Sequence, residues 1–170
     1  MAHFNLGCIY YQKGDIDLAI ESFKKAIEIK PDWIEAHLNL GVAYESYNMF
    51  NDAIEEHKRV LEIKSDLAEP HINLGNIYYK VEMYDKAIDE YKKAISIKPD
   101  SAEAYNNLGY VYFEQRKYGI AVNEFKKAIE LKQGYISAHN NLSMAYRKVG
   151  LHEKAKKEYE IAKNLTNKNK

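Results

Sequence analysis

The hydrophobic positions of the chain recur three and four residues apart, with small residues standing among them. In the first part of the chain they fall into two groups, Leu6, Ile9, Tyr10 and then Ile16, Ala19, Ile20, Phe23, Ala26, Ile27. This spacing places the apolar side chains on one face of an α-helix, whereas a half-buried β-strand would alternate every second residue. The pattern therefore predicts two helices in each unit of the chain.

The same pattern returns with a period of 34 residues. Each copy is marked by a Leu-Gly pair, at Leu6-Gly7, Leu40-Gly41, Leu74-Gly75 and Leu108-Gly109, with Leu142-Ser143 as an altered fifth copy. A tyrosine and an alanine follow at fixed distances, as Tyr10, Tyr44, Tyr78, Tyr112, Tyr146 and Ala19, Ala53, Ala87, Ala121, Ala155. One such unit cannot cover its own apolar faces, so stacked copies must supply the core.

Large residues occupy the next repeat position, at Phe23, His57, Tyr91, Phe125 and Tyr159, before a small residue and, in two copies, Pro31 or Pro99. This order of Leu-Gly, Tyr, Ala, aromatic, Ala and Pro resembles the tetratricopeptide repeat (TPR) family from Met1 to about Leu165. Histidine departs from the family pattern at His57, which replaces an aromatic residue. Ser65 and Gln133 replace the closing proline.

The resemblance implies an all-α fold, a TPR α-solenoid in which five helix-turn-helix repeats form a right-handed superhelix with a concave groove. We expect a single TPR domain over residues 1–165, followed by a frayed polar tail over residues 166–170. The expected repeats span residues 1–33, 34–67, 68–101, 102–135 and 136–165.

An asparagine stands two residues before each Gly or Ser of the repeat. These residues, the asparagine row, are Asn5, Asn39, Asn73, Asn107 and Asn141. Asparagine is a mediocre helix former, so its recurrence within a helix needs a reason. Its amide both donates and accepts hydrogen bonds and can satisfy the backbone of an extended peptide. In the alternative interpretation, these amides only hydrogen-bond to neighbouring helices.

In the TPR family the asparagine position lines the concave surface, and the row resembles the asparagine ladders of O-GlcNAc transferase and kinesin light chain. The resemblance implies three more groove rows: Phe4, Leu38, Ile72, Asn106, Asn140; Cys8, Val42, Asn76, Tyr110, Met144; and Tyr11, Glu45, Tyr79, Phe113, Arg147. Beside the asparagine row, we expect peptide contacts at Leu38, Ile72, Asn76, Tyr79, Tyr110 and Phe113. Glu35, Glu69 and Glu103 at the edge would favour a neutral or basic peptide, or would only complement helix dipoles.

Charge and cysteine content limit the classes of partner. Twenty-five Lys and Arg balance twenty-five Asp and Glu, so no net field favours nucleic acid or an anionic membrane. Basic pairs on the second helices are expected to be neutralised by Glu21 to Lys25, Glu55 to Arg59 and Asp89 to Lys93. A single cysteine and the lack of a leader or long apolar run predict a cytoplasmic protein that does not insert into membranes.

No motif of the sequence predicts catalysis or a cofactor. His3, His37, His71 and His139 occupy one position in four of the five repeats. Successive repeats lie about 10 Å apart by helix-packing distances, whereas zinc ligands must converge on one ion. We expect these histidines to be half-buried packing residues. The chain has no Gly-rich phosphate loop, GxSxG or HExxH motif, and Cys8 has no nearby His or acid in sequence.

The two ends of the repeat array differ. Lys156 and Lys163 replace the apolar pairs that second helices carry elsewhere, which predicts a terminal repeat that faces water. Ala2 and Ile9, in contrast, present an apolar face at the first repeat. The sequence therefore predicts a protein-interaction scaffold that binds an extended peptide in its groove. The alternatives are a self-assembling scaffold that forms homo-oligomers through the N-terminal edge, and the targeting region of a larger enzyme such as a glycosyltransferase.

Overall fold

The computed structural model describes residues 1–168, in which ten α-helices and no strand are found. The helices are α1 Ala2–Lys13, α2 Ile16–Ile29, α3 Ile34–Ser46, α4 Phe50–Ile63, α5 Ala68–Lys80, α6 Tyr84–Ile97, α7 Ala102–Glu114, α8 Tyr118–Leu131, α9 Ile136–Lys148 and α10 His152–Lys168. The predicted all-α fold of repeated helix pairs is confirmed.

Residues 1–77 form one compact unit, which contains α1 to α4 and most of α5. Helices that follow each other in the chain pack together, α1 on α2, α2 on α3 and α3 on α4. The core of this unit consists of Ala19, Phe23, Leu40, Ala43, Tyr44, Ala53 and Ile77. Ala19, Phe23, Leu40, Tyr44 and Ala53 stand at the leucine, tyrosine, alanine and aromatic positions of the repeat, and Ala43 and Ile77 stand one residue before its tyrosine. Residues of the repeat pattern thus hold the helices together.

Residues 78–168 form the second compact unit, with the end of α5 and helices α6 to α10. Here too consecutive helices pack together, from α6 on α7 to α9 on α10. The core residues are Ala121, Val122, Phe125, Leu142, Ala145, Tyr146 and Ala155.

Glycine allows a ring of α2, α4 and α8 to reach the preceding helix. A Cβ atom on Gly109 would lie 2.8 Å from Cε1 of Phe125, a distance that real Cβ contacts do not show. The altered copy behaves differently, because Ser143 donates a 2.7 Å hydrogen bond to the carbonyl of Ala155. Tyr159, at the ring position of that copy, is 48% exposed. In this copy, where serine replaces glycine, the ring of Tyr159 does not lie in the core.

The turn between an odd-numbered helix and the next even-numbered helix contains one residue in the left-handed conformation. These residues are Gly14, Asn48, Glu82, Arg116 and Gly150, with φ between 57° and 85°. A left-handed residue ends a helix by turning the chain away from the helix axis. The recurrence of this turn starts each even-numbered helix in the same way.

Two surface features differ from expectation. Lys25 pairs with Glu21 at 2.6 Å as predicted, but Arg59 pairs with Glu62 and Lys93 with Glu90. The predicted pair of Glu55 with Arg59 is therefore wrong, whereas Asp89 still acts electrostatically on Lys93 beside the closer Glu90. Residues three apart on a helix are also neighbours and compete for the same cation.

The C-terminal tail, which was expected to be frayed, also differs from the prediction. Helix α10 continues to Lys168, and the Thr166 hydroxyl donates a 2.9 Å hydrogen bond to the carbonyl of Ala162. The segment expected to fray is thus helical from Thr166 to Lys168, and residues 169–170 lie outside the described part of the chain.

Candidate functional site

In the first unit the asparagine row lies at the border between core and solvent. Asn5 is exposed, while Asn39 and Asn73 are half-buried and are each followed by a leucine and a glycine. The amide nitrogen of Asn39 donates to Sγ of Cys8 on the preceding odd-numbered helix at 3.6 Å. Asn76, one turn after Asn73, is also half-buried. These amides can therefore be reached from outside, and that of Asn39 is also held by its hydrogen bond to Cys8.

In the second unit the asparagines form a hydrogen-bonded chain. Asn141 donates to the amide oxygen of Asn106 at 2.9 Å, and Asn106 donates to that of Asn107 at 3.2 Å. The alternative interpretation, in which the amides bond to neighbouring helices, therefore describes part of their role. Each bond uses one of two donors on an amide NH2 group, and an amide oxygen accepts two hydrogen bonds.

Two open pockets of the first unit are lined by predicted groove positions. Cys8, Tyr11, Asn39 and Val42 line a pocket of about 190 Å³. A larger pocket of about 600 Å³ is lined by Met1, Phe4, Asn5, Ile29, Lys30, Trp33 and Glu35. Phe4 and Trp33 pack against each other in it, with ring centroids 4.7 Å apart and ring planes tilted by 32°.

Two of the predicted peptide contacts lie deeper than the sequence indicated. Leu38 is 9% exposed and Ile72 is 8% exposed. Both side chains belong to the buried core and offer little surface to a ligand.

In the second unit, five half-buried rings follow one another across four helices. The strip, which we call the aromatic strip, consists of Tyr84, Tyr79, Tyr110, Phe113 and Tyr118. Its neighbouring centroids lie 6.0, 5.6, 6.3 and 5.2 Å apart in that order. Tyr79, Tyr110 and Phe113 were predicted as groove residues, and the structure brings them together. Tyr84 and Tyr118 were not predicted as groove residues, although both stand at the first position of an even-numbered helix.

Burial and acidic neighbours raise the pKa of two hydroxyl groups of this strip, those of Tyr79 and Tyr84. Burial raises the pKa of Tyr79, and Tyr110 and Glu114 raise it further. Burial also raises the pKa of Tyr84, with additional effects of Glu82 and Glu114. The carboxylates of Glu82 and Glu114 thus lie close enough to the strip to act on its hydroxyl groups.

Two histidines predicted to be packing residues make specific hydrogen bonds. In α3, Nδ1 of His37 lies 2.6 Å from Oε2 of Glu56, and Nε2 lies 2.9 Å from the carbonyl oxygen of Pro31. His139 repeats this arrangement with Glu158 and the carbonyl of Gln133 at the same distances. Carbonyl and carboxylate oxygens accept, so with an ionised glutamate both ring nitrogens donate. The recurring Glu nineteen residues after His was the missed sequence signal.

These buried histidines thus connect structural elements. Within residues 1–168, no group of three or more His, Cys, Asp or Glu side chains is arranged to hold a metal ion. Over the same residues, no helix combines the length and the apolarity needed to cross a membrane.

Comparison with known proteins identifies the repeat. A family profile described as TPR repeat matches residues 7–46 and 83–115, and profiles described as tetratricopeptide repeat match residues 102–135 and 136–169. A crystal structure of MamA is 32% identical in sequence, with 96% of each chain covered and a TM-score of 0.83. The chain belongs to the tetratricopeptide repeat family.

Other TPR structures share the fold. The structure of PilF from Pseudomonas aeruginosa is 25% identical, with a TM-score of 0.87 over 96% of this chain and 74% of PilF. YrrB, a TPR protein with an unusual peptide-binding site, is 19% identical, with a TM-score of 0.71 over 96% of this chain and 84% of YrrB. No curated protein matches the chain at a significant level.

Proposed function

We propose that this TPR chain is a protein-interaction scaffold that binds an extended peptide segment along the asparagine row. The observation that carries the proposal is the row itself, because the same amide stands at the border of core and solvent in successive odd-numbered helices. Pockets beside Asn5 and Asn39 in the first unit offer space for peptide side chains.

The chemistry of the amide explains how such a surface would hold peptides of varied sequence. An extended peptide presents backbone N–H and C=O groups that are independent of its side chains. An asparagine amide can donate to one and accept from the other, and each net hydrogen bond contributes about 0.5–1.5 kcal/mol. The hydrogen bonds from Asn39 to Cys8 and from Asn141 to Asn106 fix amide orientation before a peptide binds. Such preorganisation lowers the entropy lost on binding.

A display selection with random twelve-residue peptides would supply a ligand, and a paired substitution would test the row. Replacing Asn73 and Asn107 together by Ala should weaken binding by about 5- to 100-fold, the effect of losing two peptide hydrogen bonds. The control replaces Asn51 and Asn123, which are exposed on even-numbered helices, and should bind normally. Circular dichroism should show equal helicity for all three proteins. Unchanged affinity in the Asn73/Asn107 variant would defeat the proposal.

A second candidate function is self-assembly through the outer face of α1. Leu6 is 40% and Ile9 is 47% exposed, whereas Leu40 and Leu108 at the repeat position of Leu6 are 2% and 3% exposed. The corresponding residues elsewhere are covered by a preceding helix pair, so this apolar face is suited to contact another one. Lys156 and Lys163 are exposed on α10 and make a head-to-tail contact unfavourable.

Light scattering after size-exclusion chromatography would test self-assembly. The protein should form oligomers whose mass rises with concentration, and Ile9→Lys should return them to monomers. A monomer of constant mass across the concentration range would exclude this candidate. A role as the targeting region of a larger enzyme and a cytoplasmic location remain predictions from sequence.

A further inference from the structure

The aromatic strip of the second unit is a partly open surface of ring faces and edges. Its five residues are half-buried, so each ring is held by packing and still offers part of its surface. Tyr110 and Phe113 lie one turn apart on α7 with their ring planes inclined by only 20°. Aromatic faces carry a negative quadrupole, and several rings in one place reinforce their attraction for a cation.

Lysines of the chain already occupy comparable rings on the same helices. Nζ of Lys86 lies 5.4 Å from the ring centroid of Tyr78, next in sequence to Tyr79. Nζ of Lys117 lies 5.9 Å from the centroid of Tyr112, which stands between Val111 and Phe113. Both distances are within the range of cation–π attraction, so ring faces in this part of the molecule attract cations.

Acidic residues border the strip. Glu114 follows Phe113 at the end of α7, is exposed, and acts electrostatically on both Tyr79 and Tyr84. Glu82 acts on Tyr84 from the preceding turn. A positively charged group on the strip would therefore find ring faces and a carboxylate together, whereas an anionic group would be repelled.

We propose that the aromatic strip receives an arginine side chain of the bound peptide, with the guanidinium on Tyr110 and Phe113 and paired with Glu114. The inference rests on the proposed function, because the arginine would be one residue of the peptide held by the asparagine row. Arginine fits better than lysine, since its planar guanidinium is weakly hydrated, stacks on rings and donates two parallel hydrogen bonds to one carboxylate.

The experiment uses the full chain and peptides from a random twelve-residue display library. The wild-type protein should enrich peptides with arginine at one fixed position. A selected peptide is then synthesised with arginine or with citrulline, its neutral isostere, and binding is measured by fluorescence anisotropy. Citrulline should lower affinity for the wild-type protein by about 2- to 30-fold, the range of a single cation–π and ion-pair contact.

Two variants locate the effect on the strip. Glu114→Gln, and the double change of Tyr110 and Phe113 to Leu, should each weaken the arginine peptide while leaving the citrulline peptide nearly unchanged. Glu153→Gln removes an exposed charge of α10 and serves as the charge-matched control, which should bind both peptides as the wild type does. Helicity measured by circular dichroism verifies that each variant is folded.

The outcomes separate this inference from the function on which it rests. Selected peptides without a basic position, or equal binding of the arginine and citrulline peptides, would overturn the arginine site and leave the peptide scaffold intact. Equal losses for both peptides in the strip variants would show a general apolar contact and would also overturn it. A library that yields no binding peptide would count against the scaffold and the arginine site together.

Discussion

The imidazole of His57 lies against Gly41, where a Cβ atom would stand 2.7 Å from Cε1 of the ring. Phe23 approaches Gly7 and Phe125 approaches Gly109 in the same way. His57, however, is fully buried, and neither of its two ring nitrogens has a hydrogen-bond partner. The nearest carboxylate oxygen, on Glu45, lies 3.6 Å from Nε2, which is too long for a hydrogen bond. A polar ring thus occupies the repeat position that phenylalanine fills in α2 and α8.

His57→Phe should therefore stabilise the protein. The change removes two unsatisfied polar atoms from the core and inserts the ring found at positions 23 and 125, so we expect a gain of about 1–2 kcal/mol in unfolding free energy. Urea unfolding followed by circular dichroism measures it. A lower stability would contradict this explanation and would mean that the contact of His57 with Glu45 outweighs the burial of the ring nitrogens.

Gly109→Ala should destabilise the second unit. The new Cβ would lie within 3 Å of two Phe125 ring atoms, and overpacking of this kind costs about 1–3 kcal/mol. Gly119→Ala is the matched control, because a Cβ there would meet no atom within 4 Å and alanine favours helix. The midpoint of thermal unfolding should fall for Gly109→Ala and should stay unchanged or rise for Gly119→Ala. Equal destabilisation of the two variants would contradict the steric explanation.

Glu56→Ala should destabilise the first unit through His37. Its carboxylate accepts from the buried imidazole, and removing one partner of a charged hydrogen bond costs about 1–3 kcal/mol. Glu56→Gln should lose less, because its amide can donate to Nδ1 of a neutral ring. Glu55→Ala, one residue earlier and exposed, should have little effect. Similar unfolding midpoints for the alanine variants at 55 and 56 would argue against a stabilising histidine contact.

Glu124→Gln should stabilise the protein at neutral pH and not in acid. Burial raises the pKa of Glu124 above its ordinary value of 4.5, although Lys92 partly opposes the effect. Its contribution to stability is thus present below the unfolded-state pKa and is lost as pH rises through the folded-state pKa. Since the group is half-buried, we expect a gain below about 1 kcal/mol.

Unfolding of wild type and Glu124→Gln from about pH 4 to about pH 8 measures this difference. The two stability curves should approach each other at the acid end and separate as the pH rises. A constant offset over the whole range would show that the effect does not depend on ionisation.

The fold could be predicted from sequence periodicity because each repeated residue has one role in packing. Gly109 admits the Phe125 ring, and alanines such as Ala53 are completely buried. The ion pairs on the helix surfaces could not be predicted from the repeat pattern. Whether Arg59 pairs with Glu55 or Glu62 depends on side-chain rotamers, since both acids share its helix face.

The candidate site was only partly predictable. The position of an asparagine in the repeat gives its helix face, but it does not show that Asn141 donates to Asn106. In the same way, the family rows contain Tyr79, Tyr110 and Phe113, whereas Tyr84 reaches the strip from the start of another helix. Contacts between residues on different helices depend on side-chain directions, which the repeat pattern of the sequence does not specify.

NMR of the asparagine side chains can detect whether the asparagine row holds an extended peptide. Each NH2 group of Asn39, Asn73, Asn107 and Asn141 gives a signal that responds to new hydrogen bonds. Addition of a selected peptide should shift these signals, while those of Asn51 and Asn123 stay in place. Saturating binding that leaves the signals of the row unchanged would contradict the claim.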